Sequence, residues 1–180
     1  MANVKHLGAR PSMHISPATP QDIPALSALL SELFAQEAEF TPDPEAQARG
    51  LARIMASPAT GVVLVARSGG EVVGMVSLLF TVSTALGARV ALLEDMVVSP
   101  AHRGAGAGSE LLAQAISVAR AEGCKRITLL TDQSNEPAQR FYAKQGFVPS
   151  GMLPMRLSLT TEGSGTPDST GVPSPSRASD

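Results

Sequence analysis

Aromatic residues are scarce in this chain: five Phe, one Tyr and no Trp among 180 residues. That shortage argues against platforms that stack nucleic-acid bases. Neither sign of charge is in excess, with 14 Lys and Arg against 16 Asp and Glu, a net charge of −2 and a pI near 5.9. A dedicated basic face for nucleic acid is therefore not expected. A single cysteine, Cys124, excludes an intrachain disulfide and fits a reducing compartment. Long apolar runs are missing too. The longest uncharged stretch, Val72 to Ala88, is interrupted by Ser77, Thr81, Ser83 and Thr84 and broken by glycine, so it falls short of the ~20 predominantly apolar residues of a membrane-spanning helix. Met1 to His14 carries Lys5 and Arg10 but no apolar core of a secretory signal. A cytoplasmic protein is expected. His6, His14 and His102 are scattered, with no H-E-x-x-H and no Cys/His ligand spacing, so no metal site is expected. The absence of G-x-S-x-G disfavours a serine hydrolase.

What is present suffices for one ordinary core, since 43% of residues are hydrophobic and the length suits a single domain. Residues 1–12 read as a flexible arm. Residues 161–180 are mostly Ser, Thr, Gly and Pro and cannot bury enough apolar surface to offset their ordering entropy, so they read as a disordered tail. The ordered domain is expected over 13–160. After a short strand at His14 to Ala18, helical spacing of Ile23, Leu26, Leu29, Leu30, Leu33 and Phe34 predicts a helix from Asp22, with Pro24 in its first turn. A second helix is expected over Glu45 to Ala56. The period then shortens, predicting a meander of strands at 61–67, 71–82 and 89–98. A helix over 109–121, a strand over 126–131 and a helix over 136–144 closed by Gly146 follow. Residues 147–159 are expected to add one or two strands. This order is mixed α/β, with an antiparallel meander first and a crossover helix later.

The stretch most informative about chemistry is Leu92 to Ser109, LLEDMVVSPAHRGAGAGS. A strand ends at Pro100, and Arg103, Gly104, Ala105, Gly106, Ala107 and Gly108 form a loop that opens a helix at Ser109. Small residues let backbone N–H groups approach a ligand, a helix N-terminus favours an anion, and Arg103 adds a charge-assisted contact. Such a cradle suits a pyrophosphate. A Walker loop would need Gly-Lys-Ser/Thr at its end, and a dinucleotide fingerprint would need glycine where Ser109 stands. A plain flexible turn is the bland alternative.

The pattern R-x-x-G-x-G after V-V-x-P resembles the acetyl-CoA-binding motif of the GNAT superfamily of N-acetyltransferases. Asn135 to Phe147, NEPAQRFYAKQGF, resembles the same superfamily's N-x-x-A-x-x-F-Y-x-x-x-G-F. One helix and one strand lie between the two motifs, as they do in the family. Leu93 to Val98 and Asn135-Glu136-Pro137 further resemble the polyamine acetyltransferase branch. Ala105 and Ala107 depart from the family, which often has a basic or polar residue and a large aliphatic there. The resemblance implies a mixed, mostly antiparallel sheet of six or seven strands flanked by about four helices.

It also implies transfer of an acetyl group from acetyl-CoA to a primary amine by direct attack in a ternary complex. Cofactor binding would fall to Met96, Val97 and Val98 on a bulged strand, to Arg103, Gly104, Ala105, Gly106, Ala107, Gly108 and Ser109 in the loop, and to Asn135 against the pantetheine arm. Tyr142 becomes the candidate acid for the departing thiolate, lying two helical turns from Asn135; an aromatic packing role is the alternative. Glu94 becomes the candidate base or ammonium-orienting group, with Asp95 or a water chain as alternatives. Strand alternation puts Glu94 and Met96 on one face and Asp95 and Val97 on the other. Glu37, Glu39, Asp43 and Glu45 would form an acidic rim attractive to a cationic acceptor. A small-molecule amine is favoured over a protein N-terminus, and a homodimer is compatible with the meander. The other class of function is an acyl-CoA-binding sensor or partner module with little catalysis.

Overall fold

The computed structural model describes residues 13–36 and 41–159. The chain divides into two compact units, residues 1–147 and 148–180. In the first unit, strand β1 (Met13–Pro17) leads through a 3-10 turn into helices α1 (Ile23–Phe34) and α2 (Pro44–Met55). Strands β2 (Gly61–Ser68), β3 (Glu71–Ser83) and β4 (Ala88–Val98) form the meander, followed by α3 (Ala107–Ala121), β5 (Ile127–Leu129) and α4 (Glu136–Ala143). The sheet order is β1-β2-β3-β4-β5, with every pair antiparallel except β4 and β5. That single parallel pair is the one joined by a crossover helix, α3, as two parallel neighbours require.

The two faces of the sheet bury separate cores. On one face Leu26, Leu29 and Leu30 of α1 and Leu51 of α2 meet Val63, Val65, Met75 and Val97. On the other, Leu111, Leu112, Ala115 and Ala119 of α3 cover Leu64, Ala66, Val76, Leu78, Ala91 and Leu93. Alternation along β2, with Val63 and Val65 on one side and Leu64 and Ala66 on the other, explains why the run Val62 to Ala66 is continuously apolar. Two polar ties lock the α1 side. Asp22 lies beneath the first turn and accepts from Arg67 at 2.6 Å and from the Thr19 N–H at 2.8 Å. Gln47 of α2 faces Ser31 of α1 at 3.0 Å.

The second unit carries no helix or strand over its described residues, 148–159. Among the described residues the sheet therefore has five strands instead of six or seven, and the one or two strands expected over 147–159 do not form. Pro149 and Pro154 interrupt that run. Each lacks the N–H that a ladder needs.

Candidate active site

The site begins where β4 leaves the regular sheet. Its pairing with β5 runs from Ala91–Ile127 to Leu93–Leu129 and stops there, while β4 itself continues to Val98. At the same level the ladder to β3 slips: Ser77 faces Glu94, yet Met75 faces Val97. One extra residue is accommodated in β4, a β-bulge. Asp95 sits in it at φ +51°, the left-handed region, and no other non-glycine described residue does so. Asp tolerates that region better than most residues. Beyond the bulge Gly74 pairs with Val98, and a Cβ there would stand 3.0 Å from the Val97 carbonyl oxygen and 3.1 Å from Leu111 Cδ1. Any side chain there would force these neighbours to give by a few tenths of an ångström.

The bulge changes which side chains share a face. Leu93, Met96 and Val98 belong to the core under α3, whereas Val97 belongs to the core under α1 and α2. Glu94 follows Leu93 by one residue and pairs with Ser77, so it lies on the α1/α2 face with Val97. The simple alternation expected from sequence, Glu94 with Met96 and Asp95 with Val97, fails because the extra residue resets the period. Glu94 is exposed and Asp95 half-buried. Before the bulge, Ala91 turns its N–H toward β5, bonding the Arg126 carbonyl; after it, the Ser99 N–H bonds the Val73 carbonyl of β3. Alternation then directs Val98, the residue between Val97 and Ser99, away from β3 and into the gap that β5 leaves.

A 3-10 turn, Pro100–His102, carries the chain from β4 into the glycine-rich loop. The Ser99 hydroxyl and His102 Nδ1 lie 2.9 Å apart across it. Arg103 Nε donates to the Val98 carbonyl at 2.9 Å, tying the loop to the strand end. Gly104 and Gly106 have φ of +75° and +98°, values that explain glycine at both positions. Gly106 caps α3, which starts at Ala107, two residues earlier than expected, and no side chain caps its first turn. The opening N–H groups of a 15-residue helix thus lack a side-chain partner, the arrangement that suits an anion. Ala107 is buried, which excludes a ligand contact through its methyl group. Gly108 lies against the Phe141 ring and the Met96 methyl group, 3.6 and 3.8 Å from where a Cβ would be. The loop, the bulge and α4 meet at that point.

Asn135 caps α4, its side-chain oxygen accepting the Ala138 N–H at 3.1 Å. Its amide NH2 remains to donate to a ligand. Tyr142 follows on α4, edge-on to Phe141 at 5.2 Å and to Phe147 at 5.8 Å between ring centroids. Burial pushes its phenol above the ordinary value. Tyr142 packs on the α3 side of the sheet and Glu94 lies on the α1/α2 side, so the two candidate proton carriers belong to opposite faces of the sheet.

The acidic rim is only partly described. Glu37 and Glu39 lie outside the described residues. Asp43 caps α2, accepting the N–H groups of Glu45 and Ala46, and Glu45 pairs with Arg49 at 3.7 Å. These two carboxylates serve the helix first. A groove of about 440 Å³ between α1 and α2 is lined mainly by Ile23, Pro24, Ala28, Pro44 and Ala48; it includes Glu45 of the rim but none of the candidate catalytic or cofactor-binding residues. Cys124 packs half-buried against the α3-side core, and burial pushes its thiol up. Among the described residues no group of three His, Cys, Asp or Glu is placed to hold a metal ion, and no helix is long and apolar enough to cross a membrane.

The profile of the Acetyltransferase (GNAT) family matches residues 25–147, from within α1 to the end of α4 and just beyond. The chain belongs to this family. It is an N-acetyltransferase of the GNAT type, and the family implies an acyl-CoA donor. The aminoalkylphosphonate N-acetyltransferase of Salmonella typhimurium is 32% identical over 140 residues, 78% of this chain and 88% of that protein. The glucosamine 6-phosphate N-acetyltransferase of Trypanosoma brucei brucei is 38% identical over 79 residues, 43% of this chain and 52% of that protein. Among solved structures, a transcriptional regulator from Bacillus halodurans is 30% identical with a TM-score of 0.70, over 82% of this chain and 99% of that one. A Trypanosoma brucei acetyltransferase is 29% identical with a TM-score of 0.64, over 82% and 100% of the two chains.

Three features of this GNAT site escaped the sequence reading: the close approach at Gly74, the left-handed Asp95 and the buried Ser77 opposite Glu94. A glycine within a β-branched run was the available signal for the first. Nothing in the residue pattern marks the second.

Proposed function

We propose that the protein moves an acetyl group from acetyl-CoA to a primary amine on a small molecule, by direct attack in a ternary complex. The observation that carries this reading is the break in β4. Pairing with β5 ends at Leu93, the bulge follows at once, and the loop leading to α3 starts at the same end. A strand that stops pairing leaves backbone donors for a ligand to use.

The donor set fits a pyrophosphate-bearing thioester. Arg103 and the N–H groups of residues 104 to 109 bind the pyrophosphate. The Asn135 amide meets the pantetheine arm. Backbone groups of Met96, Val97 and Val98 line the thioester, and the Val98 N–H meets its carbonyl oxygen, where negative charge grows during attack. Acetyl-CoA supplies the activated acyl group and a thiolate leaving group. Glu94 orients the incoming ammonium and takes its proton. Tyr142 donates its phenolic proton to the departing sulfur. Its raised pKa keeps that proton in place through neutral pH.

Both named relatives act, by their names, on amines that carry a phosphorus oxyanion, which favours a small-molecule acceptor here. The likeness of Leu93 to Val98 to the polyamine branch keeps spermidine in the acceptor panel. The test is thiol release from acetyl-CoA with aminoalkylphosphonates, glucosamine 6-phosphate, spermidine and a peptide with a free N-terminus. Release that depends on one of the small amines is expected. Tight binding of acetyl-CoA without release for any amine would replace catalysis with an acyl-CoA-binding role.

A further inference from the structure

Ser77 is the lone polar side chain in the run Val72 to Phe80. It is fully buried, and its hydroxyl has no hydrogen-bond partner among the described residues. Its place in the sheet is directly opposite Glu94, at the last regular pair before the bulge. Residues opposite one another share a face, with Cβ atoms about 5 Å apart. A buried hydroxyl left unpaired lowers stability, so alanine would suit this position better if packing were its only task.

We infer that Ser77 is a positioning residue for the Glu94 carboxylate. This rests on the proposed role of Glu94. The Glu94 side chain is exposed and long enough to fold back over its cross-strand neighbour. When a bound amine displaces water from the carboxylate, the Ser77 O–H donates to one carboxylate oxygen. The other oxygen is left for the ammonium. The hydroxyl holds the base in one geometry and takes no part in the proton transfer.

The test compares Ser77→Ala, Ser77→Thr, Glu94→Gln and the double variant Ser77→Ala/Glu94→Gln, each with kcat, KM for both substrates and Tm. Ser77→Ala is expected to lower kcat roughly tenfold, the scale of one lost hydrogen bond to a charged group, with KM for acetyl-CoA unchanged and Tm equal or higher. Ser77→Thr keeps the hydroxyl and should recover most of kcat. In the double variant, Ser77→Ala should cost nothing beyond Glu94→Gln. An unchanged kcat in Ser77→Ala, a loss that multiplies in full with that of Glu94→Gln, or a loss tracked by a fall in Tm would each overturn the inference. If Glu94→Gln alone leaves kcat unchanged, the base role of Glu94 fails, and this inference with it.

Discussion

Removing one oxygen from Tyr142 isolates chemistry from packing. The ring is held edge-on by Phe141 and Phe147, and its hydroxyl makes no hydrogen bond among the described residues. Tyr142→Phe keeps both ring contacts, so stability should move by no more than about 0.5 kcal/mol. Acetyl-CoA affinity should hold as well, because the loop and the Val98 N–H are untouched. The rate should not hold. A positioned general acid contributes about 10²–10⁴-fold, or roughly 3–5 kcal/mol of transition-state free energy. Steady-state thiol release, with acetyl-CoA binding measured by calorimetry, reads both quantities. The pH profile adds a sign. The acid works only while protonated, and burial raises its pKa, so the alkaline fall in kcat should lie above the ordinary tyrosine value near ~10 and vanish in the variant. An unchanged kcat with intact binding would remove Tyr142 from the reaction and leave it a packing residue.

Asp95→Asn tolerates φ +51°, so the bulge should keep its shape and most activity should remain. Asp95→Val, β-branched and strained in that region by about 1–2 kcal/mol, should flatten the bulge and lower kcat; loss of activity in Asp95→Asn would instead point to the carboxylate as a proton carrier. Arg103→Ala removes the proposed phosphate contact along with the tie to the Val98 carbonyl, so KM for acetyl-CoA should rise roughly tenfold, and an unchanged KM would move the pyrophosphate elsewhere. For Asp22, burial alone would push the carboxyl up, but hydrogen bonds from Arg67 and Thr19 and the Arg67 charge outweigh it and leave the pKa below the ordinary value. The stability it contributes is therefore full above the unfolded value near ~3.9 and is lost as pH falls through the folded one. Asp22→Ala strands a largely buried Arg67 and should cost about 3 kcal/mol at neutral pH, read by urea titration; a variant as stable as the parent would contradict this.

Much of the architecture was legible because its causes are local. Leu26, Leu29 and Leu30 recur at helical spacing, and Val63 to Ala66 can be apolar on both faces only because helices cover both. The loop from Arg103 to Gly108 was legible from composition, but the helix start was not, since Ala107 and Gly108 look like loop while Ala107 is buried inside the first turn. The bulge escaped for a different reason. Glu94, Asp95 and Met96 have no pattern that announces an extra residue, because the slip is a matter of how β4 pairs with β3 between Met75 and Ser77. Every face assignment beyond it inverts in consequence. The strands expected over 147–159 are absent among the described residues, where Pro149 and Pro154 each lack a ladder donor.

Direct transfer makes two demands that neither a binding module nor an acylated-enzyme route meets together. Mixed rapidly with acetyl-CoA and no amine, the protein should release no thiol beyond slow hydrolysis and should carry no added acetyl group by mass spectrometry. Addition of an accepted amine in the same experiment should release one thiol for each N-acetylated amine formed. A burst of thiol without amine, with an acetylated protein, would contradict the account.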